Sequence, residues 1–351
     1  IAVLGNNAPD IIKVTSGWVP QLAGIGALAP FNELLPAETM AQFPKGAVDA
    51  VTFDSGVLAL PWLPGPIMMG YNRDLLAKAG LNPDAPPKTW TEFTAAVDAI
   101  CEMGKKDGSG VFGVALRTTR DPNSAHWSLP IIWANGGSIT DADGNVSFNN
   151  DGVKAAYEWY HDVISRGCSP DGFGIQESRN VFGTGRAAFI FEGPWLKGLV
   201  ENLSSGELTM AKDGNTWVAP MPTAEDGVVR QIENANMVVV TNQSKNKELA
   251  AKFVDFMLGN QETVDFFFET SKQPTTGRMD ILRAGAMGAD EFTQAFVETM
   301  PYSNAVPIKS AKWTAMLDAV SPALQSIIKG GDASSELANA DKAIQQILED
   351  E

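Results

Sequence analysis

The sequence contains very little histidine and cysteine, with two residues of each among 351. So few Cys and His residues argue against structural zinc sites and exclude disulfide-rich scaffolds, and at most one disulfide can form. Basic residues are also scarce. The sequence has 26 Lys and Arg against 42 Asp and Glu, which gives a formal net charge of −16. Such a charge repels phosphate backbones, so we expect no nucleic-acid partner.

Long apolar runs are missing as well. No stretch of the sequence approaches the ~18 consecutive apolar residues that a transmembrane helix requires. The first residues do not form a basic, apolar export leader, and they run abruptly into an apolar segment at residues 11–12. This start predicts that the natural N-terminus lies further upstream.

Common enzyme motifs are absent, including G-x-S-x-G, H-E-x-x-H, the P-loop and C-x-x-C. Residues 24–29 imitate a dinucleotide-binding fingerprint, but they end a predicted helix instead of opening one. Glu192 and Glu233 could form the carboxylate pair of a glycoside hydrolase, which keeps an enzyme as a remote alternative. The sequence therefore predicts no catalytic residue, no metal site and no cofactor.

Apolar strand-like runs alternate with amphipathic helices along the chain. Strands are predicted at residues 111–116 and 187–191, and helices at 89–105, 151–166, 247–258 and 310–329, the first with Thr89 or Thr91 as N-cap. The helix at 247–258 has one apolar face, which consists of Leu249, Ala250, Phe253, Phe256 and Met257. Alternation of this kind predicts an α/β fold with largely parallel sheets.

The nine tryptophans carry the strongest functional signal. Trp18, Trp62, Trp127, Trp195 and Trp313 all lie where predicted elements end. A Trp in such a position can stack on the apolar face of a sugar ring while neighbouring polar groups bind the hydroxyls. Trp195 follows a Gly-Pro pair that breaks a strand and places it at a helix start, where ligand groups commonly bind.

Several short blocks follow one another in a recognisable series. They are G-N-N-A-P-D-I-I at 5–12, L-P-W at 60–62 with Y-N-R-D-L at 71–75, P-K-T-W-T-E-F at 87–93, N-G-G at 135–137, F-G-T-G-R-A-A at 182–188 with E-G-P-W at 192–195, and N-K-E-L-A-A-K-F at 246–253. The series resembles the extracellular solute-binding proteins of ABC transporters, in the maltose-binding class.

The resemblance implies a two-lobed periplasmic-binding-protein fold, in which each lobe is a largely parallel sheet flanked by helices and the ligand cleft lies between the lobes. The first lobe would comprise residues 1–64 with 237–288, with further βα units upstream, and the second 65–236 with 289–351. Ligand binding would close the lobes, and the closed form would dock on the membrane permease.

The resemblance also implies a function. The chain would be the substrate-binding receptor of an ABC importer that captures a mono- or oligosaccharide, or a derivative of one. It would act as a monomer without catalysis, and it would be exported, either to the periplasm or as a lipoprotein on the cell surface.

Family positions and the aromatic pattern together give a set of predicted ligand contacts. These are Ser16, Trp18, Trp62, Arg117, His126, Trp127, Trp195, Asn234, Asn236 and Trp313. Gly65 stands where maltose binders carry a carboxylate, and this departure argues against a maltodextrin ligand.

Other ligand classes stay open. Arg117 and Arg120 could hold a uronate or sulfonate, because a guanidinium forms paired hydrogen bonds with such anions. A non-sugar solute would need different groups, namely several carboxylates for a polyamine or His and Asp clusters for a metal ion. Cys101 and Cys168 both lie in the predicted second lobe, and the sequence leaves open whether they form a disulfide.

Overall fold

The computed structural model describes Val3, Gly5 and residues 7–141, 145–304 and 311–349. In this part of the chain the strands are β1 (Ile11–Thr15), β2 (Thr52–Phe53), β3 (Gly56–Val57), β4 (Leu60–Leu63), β5 (Met68–Asn72), β6 (Phe112–Ala115), β7 (Ala187–Glu192), β8 (Thr216–Ala219), β9 (Gln231–Ile232), β10 (Asn236–Val240) and β11 (Ser303–Asn304).

The helices follow the same order. They are α1 (Val19–Gly24), α2 (Phe31–Leu34), α3 (Ala37–Met40), α4 (Lys45–Ala50), α5 (Arg73–Lys78), α6 (Trp90–Asp107), α7 (Pro122–Ala134), α8 (Asp151–Ser165), α9 (Ile175–Gly183), α10 (Leu196–Leu203), α11 (Lys247–Gly259), α12 (Gln261–Ser271), α13 (Met279–Leu282), α14 (Gly285–Ala289), α15 (Glu291–Thr299), α16 (Trp313–Ile328) and α17 (Ala333–Glu349), with 3₁₀ turns at Ser16–Trp18 and Met300–Tyr302. The predicted start of α16 at residue 310 lies outside the described residues.

The chain divides into two compact units. The first contains the described residues within 1–67, 193–195 and 232–311, and the second those within 68–192, 196–231 and 312–351. Residues 289–304 and residue 311 thus cluster with the first unit, whereas the prediction grouped residues 289–351 together. That these units act as ligand-binding lobes stays a prediction.

The first unit is built on a three-stranded sheet with the order β1, β10, β4, and both strand pairs are antiparallel. Helix α11 packs on this unit through the buried side chains Ala250, Ala251, Val254 and Leu258. The larger apolar residues Leu249, Phe253 and Phe256 are exposed instead. The small alanines let the helix approach the sheet closely, so its packed side is not the apolar face that the sequence singled out.

The second unit contains a four-stranded sheet with the order β6, β7, β5, β8. Helix α16 packs against α7, α8 and α17 in the same unit. Helix α6 begins with a capping box, in which Thr89 accepts from the backbone N–H of Glu92 and the Glu92 carboxylate accepts from that of Thr89. This confirms one of the two N-caps that the sequence offered.

The mixed α/β class is confirmed, but the expectation of largely parallel sheets is wrong for the strand pairs described here. Within the three-stranded and four-stranded sheets only β6 and β7 run parallel, while β5 is antiparallel to both β7 and β8. Neighbouring strands such as β1 and β10 are far apart in the sequence. Their relative direction is therefore not set by a local β–α–β crossover, from which the prediction derived.

The two cysteines form a disulfide within the second unit. Cys101 of α6 and Cys168, which follows α8, are bonded with their Cα atoms 5.1 Å apart, and both side chains are buried. The pairing that the sequence left open is thus made. Among the described helices, none combines the length and the apolar character needed to cross a bilayer.

Candidate functional site

Two segments of the first unit meet in a short ladder of hydrogen bonds around Gly65. The N–H of Gly65 donates to Oε1 of Glu233 at 2.7 Å, and the N–H of Asn234 donates to the carbonyl of Gly65 at 2.9 Å. The N–H of Ile67 donates to the carbonyl of Ile232, also at 2.9 Å. Glu233 thereby fixes the backbone of the neighbouring segment, a role that sequence reasoning missed because nothing local marks it.

The indole of Trp195 lies against the backbone of two glycines. A Cβ atom placed on Gly65 would be 2.4 Å from the carbonyl oxygen of Asn234 and 3.2 Å from Cζ3 of Trp195. A Cβ on Gly193 would be 2.4 Å from Cη2 of the same ring. Glycine is required at both positions by close approach, and no side chain at residue 65 could supply the carboxylate of maltose binders. Trp195 itself is half-buried.

Gly65→Ala is expected to destabilise the first unit by about 1–3 kcal/mol, because the added methyl group overpacks against backbone that cannot move aside cheaply. The control is Gly198→Ala in α10, where an added Cβ meets nothing within 4 Å. Alanine there is expected to be neutral or to stabilise by up to about 1 kcal/mol. Thermal unfolding of both variants checks this, and equal melting temperatures for Gly65→Ala and the wild type would contradict the crowding at Gly65.

The first unit contains a cavity of about 460 Å³. Its lining includes Ser16 and Glu233 beside the sheet, Lys45 from α4, Arg283 after α13 and Glu298 from α15. Lys45, Arg283 and Glu298 are exposed, whereas Ser16 and Glu233 are half-buried. The volume falls within the range of roughly 300–1,000 Å³ that is typical of small-molecule pockets. Of the five polar or charged side chains in the lining, a hydroxyl and a carboxylate are thus the two that are half-buried.

A buried ion network lies in the second unit. The Glu192 carboxylate accepts from Nη2 of Arg117, from Nε of Arg179 at 2.8 Å and from Nη2 of Arg179 at 3.1 Å. Arg117 also donates to Asn123 at 2.5 Å, and its guanidinium carbon lies 3.7 Å from the centroid of the Trp127 ring. Burial lowers the pKa of Arg117, while the Glu192 carboxylate opposes that shift.

The aromatic residues predicted in the second unit surround the same region. Trp127 is buried and its Nε1 donates to the carbonyl of Phe191 at 2.9 Å. Trp313, at the start of α16, is 2% exposed. The His126 ring lies 5.7 Å from the Trp127 ring and 6.0 Å from that of Trp313. The structure therefore brings Arg117, His126, Trp127 and Trp313 together.

His126 is half-buried, and its ring nitrogen Nε2 is fully buried. Within the described chain its Nε2 has no hydrogen-bond partner. Burial, and secondarily the positive charge of Arg117, lower the pKa of His126 to about 4. A histidine in an unfolded chain has a pKa of about 6.5. Between this value and 4, His126 therefore binds a proton more readily in the unfolded chain than in the native state.

The stability contributed by neutral His126 is therefore expected to be fully present above pH 6.5 and to be lost as the pH falls towards 4. His126→Gln, which cannot titrate, should lack this part of the pH dependence. Urea unfolding midpoints of the wild type and His126→Gln at pH 7, 6, 5 and 4.5 measure the difference. Parallel profiles for the two proteins would show that His126 is protonated equally in both states.

The remaining predicted contacts belong to the first unit. Ser16 lines the cavity and its N–H donates to the carbonyl of Ala235 at 3.0 Å. Asn234 and Asn236 are half-buried, as is Trp62 in β4, while Trp18 is 57% exposed. These placements leave the ligand roles of all ten residues as predictions.

Three alternatives gain nothing from the geometry. Both terminal nitrogens of Arg117 are engaged by Glu192 and Asn123, so a ligand anion would have to compete with a buried partner. Glu192, proposed as one member of a glycosidase pair, has both oxygens bound by guanidinium groups. Among the residues that the structure describes, no group of three or more His, Cys, Asp or Glu side chains could hold a metal ion.

Comparison with known proteins identifies the family to which the chain belongs. The sequence profile of the bacterial extracellular solute-binding proteins matches residues 1–264. A probable ABC transporter-binding protein of Deinococcus radiodurans is 26% identical over 330 residues, which cover 91% of this chain and 75% of that protein. The maltotriose-binding protein of Pyrococcus abyssi is 22% identical over 336 residues, which cover 94% and 68%.

A solved structure agrees with these sequence matches. The ABC transporter solute-binding protein of Thermotoga lettingae, bound with α-D-tagatose, superposes with a TM-score of 0.84 at 25% identity. The superposition covers 99% of this chain and 87% of the other. This chain belongs to the family of bacterial extracellular solute-binding proteins.

Proposed function

We propose that this protein is the substrate-binding receptor of an ABC importer and that it captures a neutral carbohydrate for the membrane permease. The observation that carries the proposal is the half-buried indole of Trp195, which lies against the glycine backbone at residues 65 and 193. A flat ring supported on one side by backbone can offer its other face to the C–H face of a pyranose. The relatives named for maltotriose and bound with tagatose support a sugar ligand.

The polar groups of the first unit suit hydroxyl recognition. Ser16 can donate to and accept from a sugar hydroxyl, while Glu233 accepts only, and both line the 460 Å³ cavity. Asn234 and Asn236 add amide groups on the same chain segment as Glu233. With Trp18, Trp62 and Trp195, these residues form the proposed ligand contacts of the first unit, and His126 with its neighbours Arg117, Trp127 and Trp313 forms those of the second.

The protein binds its ligand without chemical conversion and acts as a monomer. It is exported, either free in the periplasm or anchored to the cell surface as a lipoprotein. Its disulfide supports export, because such bonds persist in oxidising compartments.

A thermal-shift screen tests the ligand class. Neutral mono- and oligosaccharides should raise the unfolding temperature, because a ligand at 100 times its Kd adds about 2.7 kcal/mol to the stability. Trp195→Ala should bind at least about tenfold more weakly, a loss of ~1.4 kcal/mol from the missing ring contact. Trp217→Ala in β8, a residue outside the proposed contacts, should keep the wild-type response.

The same screen separates the alternatives. Uronates, sulfonated sugars, polyamines and divalent metal ions should give no shift, and incubation with chromogenic glycosides should release no product. The proposal would be wrong if one of these classes stabilised the protein while every neutral saccharide failed to do so.

A further inference from the structure

The cavity of the first unit is lined mostly by apolar residues. Of the nineteen residues in its lining, five have side chains that are charged or form hydrogen bonds, and none is aromatic. The others are prolines, alanines, a glycine, two valines and three methionines. This composition differs from that of a pocket built only for the hydroxyls of a sugar.

A fully hydroxylated sugar would fit such a lining poorly. Each hydroxyl group that is moved from water to an apolar wall without a new partner weakens binding, since it loses its hydrogen bonds to water. An alkyl or aryl group in the same place would gain from leaving water. The apolar part of the cavity therefore selects for a ligand that carries an apolar group.

The three methionines make the apolar lining adaptable. Met237 is buried in β10, while Met279 at the start of α13 and Met300 after α15 are half-buried. Methionine side chains are unbranched and polarizable, and they adjust to apolar groups of different shape. The lining can thus accept short alkyl chains as well as an aromatic ring.

Glu233 supplies a polar group in the same cavity. Its Oε1 accepts from the N–H of Gly65 at 2.7 Å, which holds the carboxylate in place. A fixed carboxylate accepts hydrogen bonds from sugar hydroxyls strongly. One cavity therefore contains both a hydroxyl-binding group and an apolar wall.

We propose that the natural ligand is a carbohydrate with a short alkyl or aryl substituent, and that this substituent occupies the methionine-lined cavity of the first unit. The inference rests on the proposed function, since it assumes a sugar ligand and adds the class of sugar. A volume of about 460 Å³ is large enough for such a substituent.

Titration calorimetry with matched glycosides tests the proposal. Glucose, galactose, xylose and arabinose are each compared with their methyl, butyl and phenyl glycosides, in both anomeric forms. For at least one sugar the affinity should rise by about fourfold for each buried CH₂ group, and the butyl glycoside should bind on the order of tenfold or more tightly than the methyl glycoside.

Met279→Gln and Met300→Gln should each abolish most of that gain, measured within each variant as the ratio of the affinity for the butyl glycoside to that for the methyl glycoside. Met40→Gln in α3 is the matched control, because this half-buried methionine lies outside the cavity lining. It should retain the full gain, and circular dichroism of all three variants checks that they fold. If one methionine variant does not fold, the other carries the comparison.

Three results would overturn the inference. Free sugars that bind as tightly as their butyl and phenyl glycosides would refute the substituent and leave the proposed function intact. Failure of every sugar and every glycoside to bind would refute both. A gain that Met279→Gln and Met300→Gln do not reduce would place the substituent elsewhere and refute the assignment of the cavity.

Discussion

Glu192→Ala is expected to lower the free energy of unfolding of the second unit by about 3–5 kcal/mol, because it leaves buried positive charge without its partner. Glu192 is fully buried at the end of β7, and Arg117 beside it is 4% exposed. The side chain of Arg179, which donates to both carboxylate oxygens, is 18% exposed. Removal of the carboxylate takes away the negative charge that Arg117 and Arg179 share.

The size of this effect depends on burial, and the controls are chosen to show it. Glu192→Gln keeps the shape and one acceptor oxygen but loses the charge, so it should be intermediate. Glu158→Ala removes an exposed carboxylate that lies 4.0 Å from Lys154 on α8. It should cost less than about 1 kcal/mol, as is usual for surface pairs.

Urea unfolding, followed by tryptophan fluorescence, ranks the three variants. Glu192→Ala should be the least stable variant and Glu192→Gln the next, while Glu158→Ala should be close to the wild type. Similar midpoints for Glu192→Ala and Glu158→Ala would show that the arginines find other partners and that the network does not stabilise the fold.

Reduction of the Cys101–Cys168 disulfide is expected to destabilise the second unit by about 4 kcal/mol, the chain-entropy value for a loop of this length. The bond closes a loop with a sequence separation of 67 and joins α6 to the chain after α8. A cross-link of this kind acts mainly on the unfolded chain, whose freedom it restricts.

The double variant Cys101→Ala with Cys168→Ala provides the matched test. Its urea midpoint should equal that of the reduced wild type, and adding reductant should leave it unchanged. Mass spectrometry after alkylation, with and without reductant, confirms which species is present. An oxidised wild type no more stable than the double variant would contradict the expected contribution.

Features encoded by neighbouring residues were predictable from the sequence. The helices at α6, α8 and α11 and the strands at β6 and β7 lie within two residues of their predicted ends. Their apolar periodicity and capping residues are local signals. The α/β class and the family followed from the same level of information.

Features that depend on distant residues were not predictable. Arg117 and Glu192 are 75 residues apart, and Gly65 and Glu233 are 168 apart. Only the folded chain shows that Arg117 is bound internally and that glycine is required at residue 65. The prediction of parallel strands in the first unit is wrong for the same reason, since β1 pairs with a strand more than 200 residues later.

The ligand contacts of the candidate site stay predictions, but the structure gives several of them a physical context. Trp195, which the sequence placed at a helix start, contacts Gly65 and Gly193. Trp127 lies inside α7, so the prediction that it stands at the end of an element is wrong, whereas Trp313 does begin α16. Both side chains are buried in the second unit. The composition of the cavity could not be read in advance, because its lining comes from segments between residues 16 and 301.

Isothermal titration calorimetry of the purified protein with neutral saccharides tests whether it is a carbohydrate receptor. We expect saturable binding of at least one neutral carbohydrate or glycoside, with one site per chain, and a loss of affinity of at least about tenfold in Trp195→Ala. Absence of heat with all neutral carbohydrates and glycosides, together with saturable binding of a uronate, polyamine or metal ion, would contradict it.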